Sequence, residues 1–293
     1  MENGDVFDMR NDITSILDNI NSGSAGISTG LPSLDKVING FRDGEFIIIA
    51  GSPSIGKSSL IRGMCLNISK NNTVLLSSLE MGYKEICEIC LTSISKLNYS
   101  EVVSQPNNPK YKKRLELASK QLSKHNFLIW DSAYVSTELL RAKIEEINCK
   151  EKVDIVFVDY LQLMTIPNKE NRQVEIATVS RELKLMALDF NIPIIALSQL
   201  NRQNEHRDDR RPTLGDLRDS GALAQDVDKC ILLHRPSYWD IDTRDDDGVA
   251  ELIIAKNRKG PRNVTVSCGW VSEYMMFYDM NPPKKCDIEE EEF

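Results

Sequence analysis

The sequence predicts an α/β fold: a mostly parallel, twisted sheet with helices on both faces and antiparallel strands added near the C-terminus. Three observations carry this expectation. Apolar runs such as "EFIIIAG", "TVLLSS", "VDIVFVD" and "IPIIALSQ" alternate with segments of helical periodicity, the pattern of strands buried on both sides. The first of these runs leads through a glycine-bearing turn into a helix. After residue 228 the helical segments give way to "DKCILLH", "VAELIIAKNR", "RNVTVSCG" and "EYMMFYDM". These shorter runs alternate in part and are punctuated by turn residues, as antiparallel strands are.

Residues 1–25 read as a polar leader. Within it Val6, Met9, Ile13, Ile16, Leu17 and Ile20 recur at three- and four-residue steps, which predicts a short amphipathic helix over 6–20. "NSGSAG" has the composition of a flexible linker. From "EFIIIAG" onward, the expected order is helix 57–69, strand "TVLLSS", helices 83–97 and 109–124, and strand "FLIWD". Helix 136–148, strand "VDIVFVD", helix 174–190 and strand "IPIIALSQ" follow. The four C-terminal strands complete the core, which is expected to span 26–280. Residues 281–293 end in "CDIEEEEF", an acidic tail without a packing pattern.

A chain of 293 residues with 41% hydrophobic content can bury a substantial core in one or two domains. It contains no apolar run of about 18 residues, so no membrane-spanning helix is expected. The N-terminus lacks the apolar stretch of a secretory signal. The seven scattered cysteines read as reduced thiols of an intracellular protein. Cys87 and Cys90 form a C-x-x-C, but Ile86, Cys87, Cys90, Leu91 and Ile94 share a helical face, which points to packing. His125, His206 and His234 have no partners at ligand spacing, so no histidine or cysteine metal site is expected. The net charge of −8 argues against a broad nucleic-acid-binding surface and confines any such contact to local elements.

The turn after the first strand, "GSPSIGKSS", satisfies G-x-x-x-x-G-K-[ST]. Glycines at 51 and 56 let backbone N–H groups wrap phosphate oxygens, and Ser52, Pro53, Ser54 and Ile55 complete the loop. Lys57 reaches the outer phosphates, the Ser58 hydroxyl ligates Mg²⁺, and Ser59 continues the first helical turn, whose dipole faces the anion. Hydrolysis of a bound nucleotide needs more. Asp159 ends "VDIVFVD" and is the natural second Mg²⁺ carboxylate, whereas Asp154 begins that strand and belongs at its far end. Glu80, in "SSLEM", emerges where it can orient and deprotonate water. Gln199 ends "IPIIALSQ", where a neutral amide can sense the γ-phosphate.

Six segments occur together in a telling order: "GISTGLPSLDKVINGFRDGEFIIIAGSPSIGKSS", "SLEM", "VDYLQLM", "IPIIALSQLNR", "DLRDSGALAQDVD" and "IIAKNRKGP". Over about residues 26–280 the chain resembles the DnaB-type replicative helicases. The resemblance implies a RecA-like P-loop NTPase core that assembles as a hexameric ring on single-stranded DNA, hydrolyses ATP with Mg²⁺ and unwinds duplex 5′ to 3′. It implies roles for Lys57, Ser58, Glu80, Asp159 and Gln199 as above. It also implies that Lys256 and Arg258 enter the neighbouring subunit's ATP site. Arg218, Asp219 and Gly221 align with a DNA-binding loop, and Lys169 and Arg172 are candidates in a first such loop, "TIPNKENRQVE". The family's usual N-terminal domain has no counterpart in residues 1–25, where the expectation is a linker-type helix docking on a neighbouring copy or a helix folding back on its own core. Primase, loader or polymerase are the candidate partners, the last through the acidic tail, whose other reading is a solubilising end. The expected location is the cytoplasm, bacterial or that of a host if the chain is phage-encoded. Two alternatives stay open: a RadA-like recombination or branch-migration ATPase, and a replication accessory module that binds ATP without motor function.

Overall fold

The computed structural model describes residues 13–14, 17–18, 25–165, 172–201, 207, 209–217, 221–239 and 248–280. Of the expected amphipathic helix at 6–20, positions 13–14 and 17–18 are helical, with Ile13 and Leu17 exposed; the remainder, and the acidic tail, lie outside the described residues.

Strand β1 (Phe46–Gly51) is buried along its whole length. Its side chains alternate between two cores, as a period of two requires. Ile47 and Ile49 enter one core, with Leu60, Ile61 and Met64 of helix α2 (Lys57–Ile68). Phe46, Ile48 and Ala50 enter the other, with Leu183 and Ala187 of a later helix. A shorter helix, α1 (Pro32–Ile38), precedes β1. It begins on a proline and stops at Asn39 in the left-handed region, a start and stop that each residue favours.

β2 (Val74–Ser78) follows α2, and then come α3 (Tyr83–Ile94), α4 (Tyr99–Ser104) and α5 (Pro109–Leu122). Asn98 and Asn108 cap α4 and α5 by accepting from Glu101 N and Lys110 N. β3 (Phe127–Asp131) is half-buried. Helix α6 (Thr137–Asn148) is capped by Ser136 and leads to β4 (Ile155–Asp159). A 3₁₀ turn (Leu161–Leu163), α7 (Arg172–Phe190) and β5 (Ile194–Gln199) follow. The chain continues through α8 (Gly221–Asp226), β6 (Lys229–His234), β7 (Val249–Asn257), β8 (Val264–Val271) and β9 (Met276–Asp279).

Among the described residues, nine strands form one sheet in the order β3-β2-β4-β5-β1-β6-β7-β8-β9. The first six in that order run parallel, and β7, β8 and β9 join antiparallel. The fold class is therefore the expected one, with β1 central and the phosphate-loop helix on one face, but of the four C-terminal runs expected to be antiparallel, "DKCILLH" (β6) instead runs parallel to β1.

Several boundaries differ from expectation. The helix expected to run to 97 stops at Ile94, because Lys96 turns to φ 50° and Leu97 N bonds back to Thr92 O. The helix expected over 109–124 closes at Leu122, and that expected from 174 starts at Arg172. Helices α1, α4 and α8 were not foreseen, being too short to show periodicity. On α3, Ile89 is buried beside Ile86 and Cys90, while Cys87 and Leu91 are only half-buried. The packed face is thus rotated from the one expected, and the C-x-x-C thiols are not equivalent.

Candidate functional site

The loop at 51–59 leaves the carboxyl edge of β1 and feeds α2. Gly56 has φ +109°, and a Cβ there would stand 3.1 Å from Phe277 Cζ. A Cβ on Gly51 would meet Ile55 Cγ2 at 2.8 Å. Gly56 therefore requires glycine for its backbone geometry, and both positions require it for space, so the loop's concave lining is main chain. A cradle of this kind fits the polyphosphate of a nucleotide.

Lys57 is buried, and its Nζ donates to the carbonyls of Gly51 at 3.0 Å and Ser52 at 2.8 Å. Burial pushes its pKa down to about 8, against the nearby charges of Asp159 and Glu80, which favour the ammonium. Asp159 is 5% exposed. Burial raises its pKa; a hydrogen bond from Ser58, and the cations Lys57 and Arg62, pull the other way, while Glu80 adds to the rise. Ser58 and Asp159 thus face each other, which suits a hard divalent cation with oxygen ligands. Asp154 sits at the other end of β4, accepting from Thr73 N at 2.9 Å, as expected.

The register brings the remaining candidates to the same edge. Ser78 of β2 lies beside Asp159 of β4, and Leu79 N donates to Asp159 O at 2.9 Å. Glu80 follows immediately and is exposed. Gln199 of β5 lies beside Gly51 of β1. Lys57, Ser58, Glu80, Asp159 and Gln199 therefore gather where four neighbouring strands end.

Lys256 and Arg258 do not join them. They stand at the end of β7 that pairs with Lys229 and Cys230, at the amino edge of the parallel strands. Lys256 Nζ donates to Ala224 O at 2.7 Å and Gln225 O at 3.2 Å. Its pKa is lowered by burial, with Asp228 opposing. The Arg258 side chain is 70% exposed and 3.5 Å from Asp228.

Of the residues proposed to meet DNA, Lys169, Arg218 and Asp219 lie outside the described residues. Gly221 begins α8. Arg172 is the first residue of α7; it donates to Gln162 O and pairs with Glu175. The segments holding these residues leave β4 and β5 from the edge that carries the phosphate loop.

Sequence reasoning missed four contributors. Arg62, 6% exposed, donates to Ser59 Oγ at 3.0 Å and adds positive charge behind Asp159. Its spacing from Ser58, one helical turn, was the available signal. Phe277 and Trp270, with ring centroids 4.5 Å apart, support Gly56 from below; nothing in the sequence connects strands so far from the loop. Gln162 lies within the quoted "VDYLQLM" and bonds to Ser198 and Gln199.

The model of the DnaB-like helicase C terminal domain matches residues 26–279. Replicative DNA helicase DnaB of Buchnera aphidicola subsp. Schizaphis graminum is 39% identical over 246 residues, 82% of this chain and 53% of that protein. Replicative DNA helicase DnaB of Geobacillus stearothermophilus is 32% identical over 280 residues, 94% of this chain and 61% of its own length. The chain thus spans little more than half the length of these curated relatives. The solved ATPase domain of G40P superposes with a TM-score of 0.89 at 33% identity, covering 94% of this chain and all of that one. A DnaB-like replicative helicase, described with its interactions with primase, gives 0.85 at 33% identity over 96% of this chain and 69% of its own. A match over nearly the whole described core, joined to the phosphate cradle and its flanking carboxylates, places this chain in the DnaB-like helicase C-terminal domain family.

Proposed function

We propose that this chain is the ATP-hydrolysing core of a replicative DNA helicase, working as a ring on single-stranded DNA and opening duplex 5′ to 3′. The observation that carries the reading is the gathering of Lys57, Ser58, Asp159, Glu80 and Gln199 at one sheet edge while Arg258 stands at the other. A nucleotide held by one copy is then completed by its neighbour, and hydrolysis depends on assembly. The family likeness supports six copies, with 26–280 proposed as the working unit.

In this reading the loop amides and Lys57 hold the β- and γ-phosphates of ATP. Ser58 and Asp159 would hold Mg²⁺, which when bound supplies charge neutralisation at the phosphate oxygens. Glu80 orients the attacking water and accepts its proton. Arg258 from the neighbour stabilises the charge that spreads over the γ-phosphoryl oxygens. Gln199 hydrogen-bonds the γ-phosphate and sits where the segment bearing Arg218, Asp219 and Gly221 departs. Arg172 and Lys169 belong to the first DNA-facing segment. A channel lined by such local contacts is compatible with the net charge of −8. Primase is the partner that the likeness to a primase-interacting helicase supports; a loader or a polymerase are further candidates, and the cytoplasm is the proposed location.

The test is ATP turnover with and without single-stranded DNA, followed by strand displacement on forked duplexes with either tail polarity. DNA-stimulated turnover and displacement from a 5′ tail are expected. Turnover stimulated by DNA without displacement on any fork would favour the recombination alternative; ATP binding without turnover would favour the accessory module.

A further inference from the structure

β4 stops pairing with β5 at Val158–Ala196, so among the described residues no strand pairs with the last residues of β5 on that side. On the other side Gln199 pairs with Gly51. Gln162, on the 3₁₀ turn just past Asp159, fills the gap. Its Oε1 accepts from Gln199 N at 3.3 Å, and its Nε2 donates to Gln199 O at 3.3 Å and to Ser198 Oγ at 2.8 Å. The amide orientation follows from chemistry: a backbone N–H can only donate, so Oε1 must face it, and Nε2 then faces two oxygens. One side chain thus takes both backbone groups of Gln199, replacing the missing ladder partner. The main chain of Gln199 is thereby fixed at both its N–H and its C=O. The backbone carbonyl of Gln162 in turn accepts from Arg172, the first residue of α7. A continuous hydrogen-bonded path therefore runs from Arg172 through Gln162 to Gln199, beside Asp159.

We propose that Gln162 is a positioning residue that holds Gln199 in register with Asp159 and carries the position of the first turn of α7 to it. This rests on the proposed role of Gln199 at the γ-phosphate. Gln162 touches no phosphate and acts only through Gln199. Displacing Arg172, by a strand bound near it, shifts the 3₁₀ turn and with it the backbone of Gln199. DNA occupancy is thereby converted into a change in where the sensing amide points.

The experiment is a double-mutant cycle of Gln162→Leu and Gln199→Ala in the full chain. It reads the ratio of ATP turnover with single-stranded DNA to turnover without it. The ratio is independent of the fraction of active protein, so partial misfolding does not move it. Gln162→Leu is expected to lower the ratio by about fivefold or more, the factor expected from losing one or two hydrogen bonds. In the Gln199→Ala background the same substitution is expected to have no further effect, since it acts through that residue. Ser198→Ala removes one partner of Gln162 at little change in volume and is expected to lower the ratio less. It serves as the second variant should Gln162→Leu fail to fold. If the wild-type ratio is high, Gln199→Ala abolishes it, and neither Gln162→Leu nor Ser198→Ala changes it, the inference falls alone. Additive effects of Gln162→Leu and Gln199→Ala would also overturn it. If the wild-type chain shows no stimulation, the proposed function falls and takes the inference with it.

Discussion

Arg258 lies at the opposite edge of the sheet from Lys57 of the same chain. Arg258 N donates to Asp228 O at 2.9 Å, and Asp228 N to Phe46 O at 2.8 Å, which sets Arg258 beside the first residue of β1. Lys57 Nζ donates to the carbonyl of the last, Gly51. Five residues of extended strand separate those ends, about 16 Å at roughly 3.3 Å per residue, and two strand spacings add about 10 Å sideways. An arginine side chain cannot span this. Under the proposed function, Lys57→Ala and Arg258→Ala should each abolish turnover, and Arg258→Ala should retain nucleotide binding. Mixing the two proteins should restore part of the rate, because some seams then join an intact loop to an intact arginine. A mixture as inactive as its components would remove the trans-acting role.

Lys57 gives a pH dependence with a definite sign. Its folded pKa of about 8 lies below the ordinary 10.5. Nucleotide phosphates favour the charged form, so affinity should be greatest below pH about 8 and weaken above it, by up to about tenfold per unit. For the free chain the sign reverses. Between about 8 and 10.5 the unfolded state holds this proton and the folded state does not, so this group's contribution to stability grows as pH rises through that window. Calorimetric titration with a nonhydrolysable ATP analogue at pH about 7, 8 and 9 checks the first effect. A flat profile would place Lys57 away from the phosphates.

Asp159→Asn should separate chemistry from stability. The asparagine keeps a partner for Ser58 but removes a buried charge whose desolvation and proximity to Glu80 raise its pKa. Turnover should fall by about a hundredfold or more, while the thermal midpoint stays at or above that of the unmodified chain. Turnover within about twofold would exclude Asp159 as the metal carboxylate.

The Lys229–Glu45 pair is a purely structural test. Its atoms are 2.5 Å apart with side chains 2% and 3% exposed, and Lys229 Nζ also donates to Gly40 O at 2.8 Å. Burial lowers the lysine's pKa, while Glu45 opposes that shift. Glu45→Ala strands the ammonium and should cost about 3–5 kcal/mol in urea unfolding. Lys229→Met combined with Glu45→Gln should cost less than Glu45→Ala alone. Equal losses would mean that the pair contributes shape rather than charge.

The succession of strands along the chain and the edge on which the site assembles were legible because apolar runs, and the residues that end them, carry that information directly; the order of the strands in the sheet was not. Asp159 and Gln199 could be placed from the ends of "VDIVFVD" and "IPIIALSQ" alone. What could not be read depends on tertiary approach. Phe277 and Trp270 reach Gly56 only because β8 and β9 fold back across α2, and no local pattern encodes that meeting. Gln162 was hidden for a different reason: its amide serves the backbone of a residue 37 positions away, and side chain-to-backbone bonds leave no periodic trace. The short helices α1, α4 and α8 escaped because one or two turns cannot display a period of 3.6.

The width of the sheet sets a rule of numbers for the proposed assembly. An open row of copies always leaves one phosphate loop without a donor and one arginine without a target. Only closing the circle uses every part. Specific activity should therefore climb with protein concentration and level off when the last gap shuts, so that the rate per chain counts loose ends.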